Sequence, residues 1–193
     1  MQQATVQLGK LGVQSIVNSM GVFVSAAFAA VNRIDDFAYM PQQNIAHAMT
    51  ALMAQNKGAK KTDRIKAAFR CGMKIEIFYG IFIFFVCFFF AHPLMQLFSN
   101  DPVVCKHGVT YLKLISLMYL FPAVTNGVQG YFRGIGDLKV TLISSFVNMS
   151  VRVVFAAVLV FHFSLQIEAL PFSYLAGWIG MLVAEVPLLL RKL

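Results

Sequence analysis

Charge is scarce in this chain. Of 193 residues only 12% are charged, against about 25% in an ordinary soluble domain. That shortage excludes a conventional water-exposed surface. Acids are the scarcer sign, with eight Asp and Glu against sixteen Lys and Arg. Cysteine is limited to Cys71, Cys87 and Cys105. None has CxxC or Cys/His spacing, which excludes a sequence-readable metal centre; isolated cysteines behave as small hydrophobes. The chain has no Walker-type glycine loop and no paired nucleophile and base, so neither a nucleotide hydrolase nor a covalent enzyme is expected. No secretory pattern is visible either. The first residues lack a basic flank, a short apolar core and a small-residue cleavage site.

Apolar side chains are abundant. They make up 59% of the chain, and nineteen residues are Phe. One water-soluble core would not hide so many. In a bilayer they face lipid, and a helix needs about 20 mostly apolar residues to cross. Residues 77–98 and 114–132 contain no Lys, Arg, Asp or Glu. Residues 140–167 carry only Arg152, and residues 169–190 only Glu185. Residues 22–56 are long and mainly apolar with a polar patch inside, while residues 1–21 are weaker. The expected fold is therefore an all-α integral membrane protein: one bundle of up to six transmembrane helices over residues 1–193, with no soluble domain. Residues 81–90 are apolar on every side, which suits lipid contact better than an amphipathic surface helix.

The breaks follow turn chemistry. Ser99-Asn100-Asp101-Pro102 offers a helix cap with proline at the first helical position. Residues 57–74 carry seven basic side chains. Arg133 and Lys139 flank a glycine turn, and Arg191 and Lys192 close the chain. If the spans alternate, these three regions share one side of the membrane. The opposite loops, 92–104 and 162–172, have no Lys or Arg. The positive-inside rule places the basic side in the cytoplasm of a multi-pass cell-membrane protein. Lys106 and Lys113 fit that pattern less well and are expected to snorkel or to line an aqueous cavity. The basic surplus forms no aromatic-interleaved patch, so the expected partner is the lipid bilayer and not nucleic acid.

Two of the basic turns carry motifs. Gln55-Asn56-Lys57-Gly58-Ala59 ends the second span, and Arg133-Gly134-Ile135-Gly136-Asp137 ends the fourth. In that order and on one membrane side, they resemble the loops of the multidrug and toxic compound extrusion (MATE) family. The stretch 26–34 is similar to the start of that family's eighth helix. The resemblance covers nearly the whole chain but only half of the family's architecture, the lobe of helices seven to twelve, with the first helix expected to be short. It implies half of a proton- or sodium-coupled antiporter that extrudes drugs or organic cations by alternating access. The partner wall would come from an N-terminal lobe or a second copy. No cofactor is implied beyond the coupling ion. A lipid flippase of related fold and a structural half-protein without transport remain open.

Intramembrane polar groups are costly and mark function or pairing. Asn32, Asp36, Tyr39 and Gln43 recur at three- and four-residue spacing along one helical face. Asp35 and Gln42 flank that stripe, and Pro41 is expected to weaken the helix beside it. Two readings stay open, a wet substrate cavity and a hydrated outer interface. Arg152 needs an acceptor, with Asp36, Glu76 and Glu185 as candidates. Glu76 and Glu185 lie near basic segments and are expected to be hydrated near the headgroups. His47 is expected as a hydrogen-bonded interior histidine. The family's sodium-coupled members use acids in helices seven and ten. Residues 1–21 and 106–132 have none, so that ion site does not carry over. Coupling is left to Asp35, Asp36 or the other lobe.

Overall fold

A computed structural model describes residues 2–163, 165 and 167–192. It is helical throughout: α1 (Gln2–Ser19), α2 (Val22–Gly58), α3 (Thr62–Phe89), α4 (Ala91–Gln96), α5 (Pro102–Ser116), α6 (Leu120–Gly134), α7 (Leu138–Phe161) and α8 (Ala169–Lys192). Residues 1, 164 and 166 of the expected first and fifth spans lie outside the described residues.

Three helices, α3, α7 and α8, are long and apolar enough to cross a membrane. α5 and α6 make a fourth crossing if their bent pair counts as one span. Much of the apolar surface is left outside the bundle. Phe78, Phe82, Phe85 and Phe89 are all exposed on α3, as expected for side chains that meet lipid. α1 and α2 fall outside that set among the described helices; Lys10 in α1 and Arg33, Asp35 and Asp36 in α2 interrupt their apolar runs. α2 is 37 residues long, about 55 Å at 1.5 Å per residue. It is longer than a bilayer core of about 30 Å, and it runs unbroken through Pro41.

The helix start read at Ser99–Pro102 is found, but the fourth span is not the single run 114–132 that was expected. It begins at Pro102, where Asp101 caps the helix by accepting from the Val103 and Val104 amides at 2.8 and 3.2 Å. It then bends by 52° between α5 and α6. Pro122 supplies the cause, since it has no N–H for the Met118 carbonyl and its ring crowds that oxygen. The Phe121 amide takes Met118 O instead, at 2.9 Å, and the Tyr119 amide bonds Ser116 O. The third span starts at Thr62 and stops at Phe89, and the short α4 follows it.

Small residues set how closely the helices pack. A Cβ at Gly130 would lie 2.9 Å from Ala46 O, and one at Gly134 would lie 3.0 Å from Thr50 O. α6 therefore meets α2 through a Gly-x-x-x-Gly face, the spacing that lets membrane helices approach backbone to backbone. Thr50 Oγ1 donates across this seam to Gly130 O at 3.2 Å.

The three basic regions meet at one end of the bundle. Lys57 Nζ donates to Ile135 O. Lys192 pairs with Asp137, and Tyr131 Oη donates to Lys192 O at 3.3 Å.

Candidate functional site

α1, α2, α5, α6, α7 and α8 enclose a cavity of about 730 Å³. The four residues of the expected stripe, Asn32, Asp36, Tyr39 and Gln43, line it from α2, and so does the flanking Asp35. Arg152 lines it from α7. A 3.6-residue helix turns these spacings toward one side, where the two adjacent acids face the cavity.

The two acids differ in their bonding. Tyr119, placed at the α5–α6 bend, donates its hydroxyl to Asp35. Asp36 is exposed to the cavity and has no hydrogen-bond or ion-pair partner among the described residues. The sequence spacing set Asp35 off the polar face; in the structure both line the cavity, because its wall wraps α2 more widely than one stripe.

Arg152 also departs from expectation. It is 8% exposed, and its Nε has no partner. No carboxylate lies within ion-pair distance of it among the described residues. Its guanidinium instead covers the Tyr174 ring, 2.9 Å from the centroid. Asp35 is the acid that acts on it electrostatically. Asp36, Glu76 and Glu185 are not its partners. Tyr174 in turn meets Trp178 edge to face at 5.9 Å, so the α8 wall is aromatic.

Three further expectations are corrected. Glu76 and Glu185 are each 0% exposed; both are enclosed by neighbouring helices, not hydrated near headgroups. Ser144 Oγ donates to Glu185 at 2.5 Å. His47 is exposed and lines the cavity, so it is not an interior histidine.

Several lining residues escaped the sequence reading. Lys10, Asn126, Gln129 and Asn148 all face the cavity, and so does Arg133, which was read only as a motif-loop residue. Gln129 Nε2 donates to Ser145 Oγ at 3.2 Å. Thr125, Gln129 and Arg133 recur every four residues, which was a readable signal of a polar face. The cavity is thus mixed in charge, with Asp35 and Asp36 set against Lys10, Arg133 and Arg152. Among the described residues no cluster of His, Cys, Asp and Glu could hold a metal ion.

The motif residues sit at the basic end. Gln55, Asn56 and Ala59 line a separate groove with Lys61 and Arg64, and Gly58 is the last residue of α2. Gly134 ends α6, Gly136 takes a positive φ of 78°, and Asp137 immediately precedes α7. Lys192, hydrogen-bonded to Asp137, holds that carboxyl below the usual carboxylate range.

Residues 1–158 match the family model described as MatE. The chain is 25% identical over 175 residues to a probable multidrug resistance protein NorM of Thermotoga maritima, covering 89% of this chain and 36% of that one. It is 28% identical over 176 residues to a probable multidrug resistance protein YoeA of Bacillus subtilis, covering 91% and 36%. Among solved structures it is similar to a MOP superfamily transporter from Pyrococcus furiosus, with TM-score 0.91 and 17% identity over 99% of this chain and 44% of that one. That identity speaks for the fold alone. The chain spans little more than a third of the length of these curated relatives, 36% in each case.

Proposed function

The chain belongs to the MatE family, and from that premise we propose that it forms one lobe of a secondary transporter extruding drugs or organic cations in exchange for protons or sodium ions. The family's members are multi-pass membrane transporters. The observation that carries the reading is the polar, aromatic-walled cavity of about 730 Å³ inside an otherwise apolar bundle.

The arrangement of acids suits exchange. Asp35 and Asp36 repel each other electrostatically, and Asp35 is anchored by Tyr119. A cation beside Asp36 relieves that repulsion, whether it is a proton, a sodium ion or the charged group of an amphipathic substrate. Occupants that neutralise the same carboxylate exclude one another, and that exclusion is a coupling free energy between coupling ion and substrate. Tyr174 and Trp178 supply the apolar and cation-stacking surface that a drug-sized molecule needs. Alternating access then requires a facing wall, from a second lobe or a second copy, against which this one rocks.

Binding of radiolabelled tetraphenylphosphonium to the full chain in lipid nanodiscs tests the reading. We expect saturable binding, competed by acid or by sodium. Asp36→Asn should weaken it roughly tenfold, the loss expected for one charge-assisted contact. Absence of saturable binding at millimolar ligand overturns the assignment. Expressed without a facing lobe in a host stripped of multidrug pumps, the chain should insert yet extrude no dye. Resistance under those conditions would point to a self-associating half-transporter.

A further inference from the structure

Behind α2, on the side away from the cavity, two polar side chains are buried without partners. Glu76 is 0% exposed and Gln42 is 1% exposed. Among the described residues neither Glu76 oxygen has a hydrogen-bond partner, and neither does Gln42 Nε2. Neither residue lines the cavity.

The helix register brings them to one place. α3 runs back along α2. Tyr79 Oη donates to Ala38 O at 3.2 Å, one of the carbonyls beside Pro41. A Cβ at Gly80 would lie 3.6 Å from Gln42 Nε2, and one at Gly72 would strike Met49. Glu76 is one helical turn from each of these glycines, so it faces α2 between Gln42 and Met49. α6 and the bend before it close the third side, with Ala123 and the Tyr119 carbonyl 3.1 and 3.3 Å from a Cβ at that same Gly80 position.

An ionised carboxylate in such a place would cost several kcal/mol with nothing to offset it. As a purely structural element the acid returns nothing either, since a Leu or Met of similar volume would pack without the penalty. We infer that Glu76 is a proton-binding site, neutral while α2, α3 and α6 are packed together and discharged when those helices part and water reaches it. On discharge the carboxyl O–H bond breaks, its electron pair stays on the carboxylate, and the proton passes to water. The Gln42 amide, within a turn of Glu76, then has an anion to donate to.

The neighbourhood offers no competing charge. From α2, Tyr39 lines the cavity on the other side of the helix and has no hydrogen bond to Glu76. Lys113 of α5 lies over the Phe88 ring at 5.8 Å. Arg133 of α6 interacts with Glu185. His92 of α4 is exposed. The use of this proton in exchange rests on the transport reading above, whereas the protonation itself does not.

The test is spectroscopic and needs no transport. Infrared spectra of the full chain in lipid are compared with those of Glu76→Gln at neutral pH. We expect the variant to lose one carboxyl's worth of the protonated-acid carbonyl band and to keep its melting temperature, with no difference between sodium and choline chloride. Glu76→Met should also fold, as judged by gel filtration in detergent. An unchanged carboxyl band would show that Glu76 is ionised and would overturn the proposal. So would a sodium-dependent melting temperature that disappears in Glu76→Gln, which would make the site one for a metal cation. Failure of both neutral variants to fold would also refute it, because the packed state would then require the charge.

Discussion

Two turns close the basic end of the bundle, and their backbones are built alike. After α2, the Lys61 amide bonds Asn56 O at 2.9 Å and the Lys60 amide bonds Lys57 O at 3.0 Å. After α6, the Asp137 amide bonds Phe132 O at 2.9 Å and the Gly136 amide bonds Arg133 O at 3.0 Å. Both are Schellman endings, with the paired six-to-one and five-to-two bonds. The residue in the left-handed position differs. It is Gly136, at φ 78°, in one turn and Lys60, at φ 55°, in the other. The glycine turn is wedged against α2 and α8 and carries Arg133 into the cavity. The lysine turn projects outward, with Lys60 exposed. The same backbone device is unstrained where it is clamped by neighbours and strained where it is free.

Removing the clamp should cost the most stability. Gly130→Val should destabilise the chain by about 3 kcal/mol, the upper part of the usual range for overpacking. The Cβ alone would sit 2.9 Å from Ala46 O, and a backbone oxygen cannot rotate away. Melting in detergent should fall, and the Lys57–Ile135 contact should open to cross-linkers. A stability equal to wild type would mean that α6 does not approach α2 as described. A smaller loss should follow Gly136→Ala. Placing a Cβ in the left-handed region costs about 1–2 kcal/mol, and open space around it does not help. The nearest atom to that Cβ is Lys57 Nζ, at 3.6 Å. If Gly136→Ala melts like wild type, strain is not what selects glycine there.

Both turns were readable from sequence because a helix stop is local chemistry: glycine, asparagine and basic residues within a few positions. The spans were readable for a similar reason, since a run of twenty uncharged residues needs no knowledge of its neighbours. The polar face of α2 also announced itself, because Asn32, Asp36, Tyr39 and Gln43 keep helical spacing. Other features depend on which helix lies opposite. Glu76 and Glu185 sit near basic segments in sequence, and only the packing of α2, α6 and α7 shows that they are enclosed. The Tyr119–Asp35 bond joins residues 84 positions apart. The bend that aims Tyr119 comes from Pro122, a local signal that hydropathy alone passed over. Arg152 was expected to find a carboxylate; it found an aromatic face, which no charge count reveals.

Converting the first turn into the second sharpens the contrast at lower energy. Lys60→Gly removes left-handed strain of about 1–2 kcal/mol but adds backbone entropy to the unfolded chain, a cost of about 0.5–1 kcal/mol. The net should be a stabilisation of roughly 0.5 kcal/mol. It should be visible as a small rise in melting temperature with the helix content unchanged. A fall would show that the Lys60 side chain contributes something beyond its backbone angle.

The smallest effect separates the turns by pH. Asp137 in the glycine turn is paired with Lys192, which holds its carboxyl below the usual range. The folded chain therefore binds this proton less readily than the unfolded chain does. Above the ordinary carboxylate value of about 4 the pairing contributes fully, and its contribution is lost as pH falls through the lower, folded value. The pair is partly exposed, so salt should shrink the effect. In the other turn, Lys57 donates to the Ile135 carbonyl, which does not titrate. The expected result is a small acid-side loss of stability below about pH 4 that Asp137→Asn abolishes and Lys57→Met leaves in place. Stability is best read at low ionic strength, with Lys192→Met as the partner deletion. If Asp137→Asn and Lys192→Met removed different acid-side losses, the two groups would not be acting as a pair. If neither altered the acid limb, α8 would be held at this end by the Tyr131 hydroxyl on Lys192 O and by apolar packing alone.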